Sequence, residues 1–465
     1  MTLPAPTSTT RTGHTVEHVF WATSRVRHLG PVVVVGIVVA QALLWLVARP
    51  AGEDTGSYVG QLAGAEAVLL LALAVVLVST LPWVDVYFDG IDKAAVWHRR
   101  LAIAGIVLVL PHILMSHGDG GSPGWAGPAG AVATVGLVAL VVWAILPRWR
   151  SVVPAPGRRV VEAVHEWPPV RWLSRLLGDY EIWRDLHRTT GLFLAIGFAH
   201  GLVDATPFPD APVLRWTYVV TTGVGLAFYL YRELLARRGH GLRDYQVREV
   251  HEVGEGLTEI VLRPLGKPFA YAPGQFAMLH LESKDGWHRH PFTLASSPAE
   301  PDVRVTVKAL GDYTSHLQDT VRPGMPAVLS GPHGGFTHAK GSTEHQVWVA
   351  GGVGVTPFLS WLRSLDHHRP PGRVDFFYSV FDEAPYEDEI KAITERHPQV
   401  RLHLVRTRYD DRLSVQTALR AAEADPAELS VFMCGPEAMV TSLQQGFRDA
   451  GVAQRRIFRE YFDWR

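Results

Sequence analysis

Six apolar runs crowd the first half of the chain, roughly Pro31–Val47, Ala65–Leu81, His98–Met115, Trp125–Leu146, His187–Val203 and Val213–Tyr231. A membrane-crossing helix needs about 20 apolar residues, within a range of about 17–25. The third and fifth runs reach that length only if their histidines count as membrane residues. One such run is often a buried core helix, but six so close together read as a six-helix transmembrane bundle. Of the 465 residues 47% are hydrophobic and 19% charged, and the apolar excess ends near residue 240. The second half of the chain has the composition of a soluble protein.

Basic residues set the expected orientation. Arg25 and Arg27 precede the first run, and Arg99 and Arg100 open the third. Arg148, Arg150, Arg158, Arg159, Arg171, Arg175, Arg184 and Arg188 fill the link between the fourth and fifth, and Arg232, Arg237 and Arg238 follow the sixth. The opposite loops, PAGEDTGSY, SHGDGGSPG and DATPFPDAP, hold almost no Lys or Arg. The positive-inside rule then places both termini and the soluble half in the cytoplasm of a multi-pass cell-membrane protein. The polar, Thr-rich first thirty residues lack the pattern of a cleavable signal peptide. A net charge of −1 gives no reason to expect a nucleic-acid partner.

Two of the runs carry paired histidines: His98 with His112, 14 positions apart, and His187 with His200, 13 apart. Ionisable side chains are costly in lipid and mark function there. At ~1.5 Å per residue each pair spans ~20 Å, inside a hydrocarbon core of ~30 Å. Both runs start on the cytoplasmic side, so His98 and His187 share one depth and His112 and His200 another. That arrangement suits two haems stacked across the membrane, each with two axial imidazoles. A spacing of 14 returns to nearly the same helix face, but 13 does not; Gly191 and Gly197 offer room for a local distortion. The single cysteine, Cys434, excludes internal disulfides, a four-cysteine iron–sulfur cluster and covalent c-type haem.

From about Arg243 short β-rich runs broken by Gly and Pro (RDYQVREV, LTEIVLRP, FAMLHL) predict a small antiparallel barrel up to about residue 338. Beyond it, HQVWVAGGVGVTPFLSWLRSL, RVDFFYSVF, RLHLVRTR and LSVFMCGP alternate strands with helices, as in an α/β nucleotide-binding domain. AGGVGVTPFLS is a Gly-rich strand-to-helix turn whose backbone N–H groups suit a pyrophosphate. CGPEAM stands some 80 residues further on, counted from Ala350 to Cys434.

The histidine pairs at 14 and 13 on the third and fifth of six runs resemble the ferric reductase and NADPH oxidase superfamily. The resemblance covers nearly everything from the first run to Arg465. It implies a tail at 1–30, a di-haem domain at 31–240, an FAD-binding β-barrel at 241–338 and an NAD(P)-binding α/β domain at 339–465. It further implies that His98 and His187 hold an inner haem b and His112 and His200 an outer one, with the aromatic Phe193 between them. HPFTLASSP resembles a flavin-binding signature: His290, Pro291, Phe292, Thr293, Ser296 and Ser297 are the expected contacts, with Gly311 and Thr314 of KALGDYTSHL at the FAD diphosphate. Gly351, Gly352, Gly354, Thr356 and Pro357 would take the nucleotide, and Cys434, Gly435 and Pro436 would sit beside nicotinamide and flavin. Cys434 is equally readable as an inert strand-end residue. Phe462 or Trp464 is the aromatic expected to cover the flavin.

Together these expectations describe an enzyme moving electrons from NAD(P)H through FAD and two haems to an external acceptor. The acceptor is a ferric chelate or O2, or else a partner redox protein. No D-x-D-x-D-G loop suggests calcium gating. Family habit leans to NADPH over NADH, although Phe381, Asp382 and Glu383 stand where an arginine for the 2′-phosphate is common. Arg406 or Arg408 would have to substitute.

Overall fold

The computed structural model of the chain describes residues 29–79, 81–88, 90–116, 123–145, 164, 166–171, 185–235, 242–268, 270–283, 286–310, 312–368, 370 and 372–460. Residues 28–238 form one unit and 239–465 belong to a second.

In the first unit every apolar run meets a helix: α1 Leu29–Val47, α2 Thr55–Leu77, α4 Ile91–Met115, α5 Ala126–Ile145, α6 Thr190–Asp204 and α7 Pro212–Leu230, with a short α3 at Pro82–Phe88 between α2 and α4. Asp54 starts α2 by accepting a hydrogen bond from the Ser57 N–H at 2.8 Å. α2 is the most buried helix and packs against α4, α7 and α1. Leu70, Ala74 and Leu77 of α2 meet Val34 of α1 and Ala94 and Leu101 of α4, while Ala65 of α2 joins Trp45, Phe208 and Tyr218. Large apolar side chains such as Val107, Leu110 and Leu114 of α4 point outward.

Among the described residues, five helices are long and apolar enough to cross a membrane. The fifth run departs from expectation, because α6 has only 15 residues. His187 lies on a separate helical turn, Asp185–His187, divided from α6 by a break at Arg188–Thr189.

The second unit opens with six strands: β1 Leu242–Gly254, β2 Leu257–Pro264, β3 Phe276–Ser283, β4 Gly286–Thr293, β5 Val303–Lys308 and β6 Pro326–His333. They form an antiparallel sheet in the order β4-β3-β6-β1-β2-β5. The sequence predicts a barrel, but β4 and β5 end the strand order without pairing along their lengths, so the sheet is a half-barrel. A register shift at Val247/Glu249 interrupts the long strand β1, the kind of bulge that bends a strand over its core. That core contains Tyr245, Ile260, Leu262, Leu279, Val305 and Leu329.

A parallel sheet comes next: β7 His345–Gly351, β8 Val374–Val380, β9 Val400–Arg406, β10 Leu429–Cys434 and β11 Ile457–Glu460, in the order β11-β10-β7-β8-β9. β7, β8 and β10 are continuous apolar runs because both sheet faces are covered. Phe358 and Trp361 pack on one face, and Ala418, Leu443 and Phe447 on the other. The chain winds outward from β7 to β9, then crosses over to start again at β10. Ligands of open α/β sheets bind at such a reversal, outside the carboxyl ends of the strands.

One buried carboxylate ties three of these strands. Asp375 on β8 accepts from His345 of β7 and His403 of β9, each at 2.8 Å, and pairs with Arg373 and Arg401. Burial pulls its carboxyl up, but these hydrogen bonds and charges outweigh it and hold the group below its ordinary value. A depressed folded pKa stabilises above the unfolded value of about 4 and loses that contribution as pH falls through the folded value. Asp375→Asn should therefore cost about 2–4 kcal/mol at neutral pH. Urea titrations of both forms should converge as pH falls through the folded pKa of Asp375.

Candidate functional site

The crevice at the strand reversal is built from bare backbone. β7 ends at Gly351, and Gly352 follows at φ +54°, a conformation glycine adopts without a steric cost. A β-carbon on Gly354 would lie 2.4 Å from the Cys434 carbonyl oxygen, and one on Gly351 would strike Pro436 and Met439. The two Gly-bearing turns, at the ends of the hydrogen-bonded neighbours β7 and β10, thus approach closely only because they lack side chains. A 3-10 turn over Gly352–Val355 leads into α9, Thr356–Leu362, with Pro357 in its first turn; α8 is the short helix Asp312–Thr320 between β5 and β6. Thr356 is buried and its hydroxyl donates to the Val353 carbonyl at 3.1 Å, so its side chain holds the turn itself.

Cys434 contributes backbone rather than thiol. Its side chain is fully buried in the core, and burial, with the Glu460 charge, pushes the thiol well above its ordinary value. A buried neutral thiol is a poor nucleophile. It should resist iodoacetamide in the folded protein and react stoichiometrically in denaturant, as mass spectrometry of the alkylated chain would read.

The proposed flavin strand is the edge strand β4. Proline suits such an edge because it lacks a donor. Among the motif residues His290, Pro291 and Phe292 are partly exposed, with the His290 and Phe292 rings 6.5 Å apart, and Thr293 is buried. Ser296 and Ser297 turn inward instead of lining a ligand surface. The Ser296 hydroxyl pairs with Tyr271 Oη at 2.8 Å and accepts from the Arg304 N–H, while the Ser297 hydroxyl donates to that of Ser364, whose own proton goes to the Ser360 carbonyl. The Thr314 hydroxyl accepts from the Leu310 N–H at 3.0 Å. Gly311, Phe462 and Trp464 lie outside the described residues.

Beyond the carboxyl ends of β8 and β9 a cavity of about 460 Å³ is lined by Asp382, Glu383, Tyr386, Glu387, Asp388, Glu389 and Arg406. Neither arginine considered for a 2′-phosphate is at liberty: Arg406 pairs with Glu387 at 2.5 Å and Arg408 with Asp382.

In the helical unit the four histidines meet in two pairs. Ring centroids are 6.3 Å apart for His98 and His187 and 5.9 Å for His112 and His200. Two imidazoles sharing one metal through bonds of about 2.0 Å have centroids about 6 Å apart, so both pairs fit bis-imidazole ligation. His98 Nδ1 lies 2.8 Å from the Ala74 carbonyl and His112 Nδ1 3.0 Å from that of Gly60. A carbonyl only accepts, so each Nδ1 carries the proton and Nε2 keeps the lone pair a metal needs. Ser116 adds a contact to His112 Nδ1 at 3.1 Å.

The break before α6 accounts for the 13-residue spacing, since an uninterrupted helix would turn His187 away from His98. Arg188 sits in the break; its carbonyl accepts from Tyr229 Oη at 2.9 Å and its guanidinium binds Glu233 at 2.8 Å. Helix glycines make room around the pairs. A β-carbon on Gly64 would lie 2.6 Å from His112 Nδ1, one on Gly130 2.9 Å from His200 Nε2, and one on Gly136 2.3 Å from the Phe193 ring. Sequence reasoning passed over these glycines, although isolated Gly in an apolar helix is a readable sign of close approach. The backbone carbonyls of Ala74 and Gly60 left no such sign.

Comparison with known proteins bears on the second unit. Residues 244–387 match an FAD-binding domain family and residues 348–445 an oxidoreductase NAD-binding domain family. A flavohemoprotein of Bacillus cereus is 24% identical over 285 residues, covering 55% of this chain and 70% of that protein. An NADPH oxidoreductase of Mycobacterium tuberculosis is 29% identical over 212 residues, covering 44% and 56%. A solved flavohemoglobin from Malassezia yamatoensis aligns with 88% of this chain and 99% of its own at TM-score 0.48 and 18% identity. The chain therefore carries a ferredoxin-reductase-type FAD and NAD module and is an NAD(P)H-dependent oxidoreductase.

Proposed function

We propose that this NAD(P)H-dependent oxidoreductase is a transmembrane electron carrier. Cytoplasmic NAD(P)H would reduce FAD, and two b haems would relay electrons to an external ferric chelate. The observation that carries the reading is the pairing of four histidines at two levels of an apolar helical unit, with centroids near 6 Å in both pairs. When bound, FAD would supply the exchange between a two-electron hydride and single electrons, and haem held by His98 with His187 and by His112 with His200 would supply one-electron carriage. The chain's own part is to fix each imidazole. Ala74 and Gly60 set the tautomers of His98 and His112. Arg188, held by Tyr229 and Glu233, keeps the break that turns His187 toward His98.

Ferric chelate is favoured over oxygen by the outer ends of the helices. Superoxide formation gains from a fixed cation beside the nascent anion. One turn after His112 stands Ser116, which bonds to that histidine. The nearby Arg49 is occupied by the Glu53 carbonyl and the Thr55 hydroxyl. Asp204 lies 3.9 Å from His200 Nδ1, and a carboxylate there gives a nascent superoxide anion no electrostatic help. The reading expects two b haems per chain by pyridine haemochromogen assay, with ferric citrate reduced faster than superoxide is made in air. One haem at saturation, or superoxide accounting for most of the nucleotide consumed with both acceptors present, contradicts it.

A further inference from the structure

The two halves of the nucleotide module are held in register by one short helix. α9 begins at the Gly-rich turn of the crevice. Its far end, with the residues just after it, grips the loop Leu294–Ser297 that leaves the flavin strand. The Ser360 hydroxyl donates to the Ser296 carbonyl at 2.8 Å, and the Ser364 hydroxyl, which donates to the Ser360 carbonyl at 2.6 Å, accepts from the Ser297 hydroxyl at 3.1 Å. Trp361 Nε1 donates to the Pro273 carbonyl at 3.2 Å. The helix is thus anchored at one end in the dinucleotide turn and at the other in the half-barrel.

Arg363 is the centre of this anchorage. Its guanidinium is almost fully buried and makes a two-pronged pair with Glu389 at 2.7 and 2.8 Å. It also donates to the Ala295 carbonyl at 3.0 Å and reaches the buried carboxylate of Glu259 on β2 at 3.5 Å. Glu389 belongs to α10, Glu387–Arg396. Burial pulls the Glu389 carboxyl up, but the hydrogen bonds and charge of Arg363 outweigh it and keep the carboxyl below its ordinary value. The Tyr386 ring lies 5.5 Å from the guanidinium, and its hydroxyl pairs with Thr306 of β5 at 2.7 Å. A buried charge held by four separate elements fixes geometry more than it adds stability, because desolvation offsets much of the attraction.

The geometry points to Arg363 as a positioning residue for hydride transfer. It holds the strut that sets the distance between the nicotinamide carbon that loses hydride and the flavin ring that gains it, while touching neither. The inference rests on reading the crevice as the site of that transfer. Hydride transfer is steep in distance, and a displacement of about 1 Å far from the chemistry can cost on the order of a hundredfold. Nucleotide affinity, set at the turn itself, should hardly change.

The test is stopped-flow reduction of the bound flavin by saturating NADH, using the FAD-loaded full chain. Arg363→Gln should lower the limiting rate at least tenfold per bound flavin and raise the deuterium isotope effect from 4-deuterated NADH. The dissociation constant should stay within about twofold. Ser364→Ala and Tyr386→Phe each remove hydroxyl hydrogen bonds of the strut and should slow reduction two- to fivefold, which keeps the test decisive if Arg363→Gln fails to retain FAD. Unchanged rates and isotope effects per bound flavin, whatever the loss of flavin or of Tm, would show Arg363 to be merely structural and overturn the inference alone. A wild-type flavin that neither NADH nor NADPH reduces would overturn the crevice reading, and the inference with it.

Discussion

His98→Ala or His187→Ala should abolish the inner haem and stop NAD(P)H-driven reduction of any acceptor beyond it. His112→Ala or His200→Ala should remove the outer haem and leave the inner one reducible by nucleotide. The asymmetry follows from chain order. On the proposed route flavin electrons would meet the His98–His187 pair first, so losing that pair would disconnect everything downstream. The geometry adds a finer expectation. His112 has three neighbours that fix it, the Gly60 carbonyl, Ser116 and the face of Gly64. Ser116→Ala should therefore retain the outer haem with a shifted reduction potential, because the ligand's outer hydrogen bonds tune the metal. Gly64→Leu should exclude that haem by filling the histidine's space. Reduced-minus-oxidised spectra and haem content per chain read all six variants. Full haem occupancy in His98→Ala would remove that residue from the ligand set.

The second large effect concerns the nucleotide. Family habit leans to NADPH, but the carboxylates that follow β8 motivate the opposite prediction: NADH should be preferred by tenfold or more in kcat/KM. Asp382 follows β8, the strand beside the dinucleotide turn, where an acidic side chain can accept from a ribose hydroxyl. The adjoining cavity is lined by Asp382, Glu383, Glu387, Asp388 and Glu389 with Arg406 as its lining arginine; Arg406 pairs with Glu387, Asp382 with Arg408 and Glu389 with Arg363, which leaves Glu383 and Asp388 to add net negative charge. A dianionic 2′-phosphate placed there would meet like charge and find no planar guanidinium to bind it. Tenfold corresponds to about 1.4 kcal/mol, a modest demand on those carboxylates. Glu387→Gln, which releases Arg406, should raise kcat/KM for NADPH several-fold and leave that for NADH nearly unchanged. Equal or better use of NADPH by the wild type would show that these carboxylates do not face the ribose.

The sequence was most legible where a physical rule acts locally. Apolar length pointed to the six longer helices of the first unit but not to the short α3, and continuous apolar runs such as VWVA and FFY located the buried parallel strands. Gly351, Gly352 and Gly354 marked the Gly-rich strand-to-helix turn, where a β-carbon on Gly351 or Gly354 would clash with the turn after β10. It was less legible where distant segments decide. The break at Arg188–Thr189 depends on Tyr229 and Glu233, some forty residues on. Nothing in LHRTTGLFLAIGFAH reveals it, so the spacing of 13 looked anomalous. Ser296 and Ser297 looked like ligand-lining hydroxyls, because the partners that turn them inward, Tyr271, Ser360 and Ser364, sit on other elements. Cys434 read as a site residue from its CGP context, while its burial depends on helices packed across the sheet. The half-barrel's open edge is likewise a property of pairing, not of any one strand.

The central claim is that electrons cross the helical unit through both histidine pairs. The most direct test places the protein in sealed liposomes with ferric citrate trapped inside and NADH supplied only outside. In molecules whose nucleotide module faces outward, the trapped iron should be reduced at a rate set by NADH. That flux should fall to background in His98→Ala and in His200→Ala, although both still pass electrons from NADH to a soluble dye outside. Reduction of external iron alone, with the trapped pool untouched in the wild type, would contradict the account.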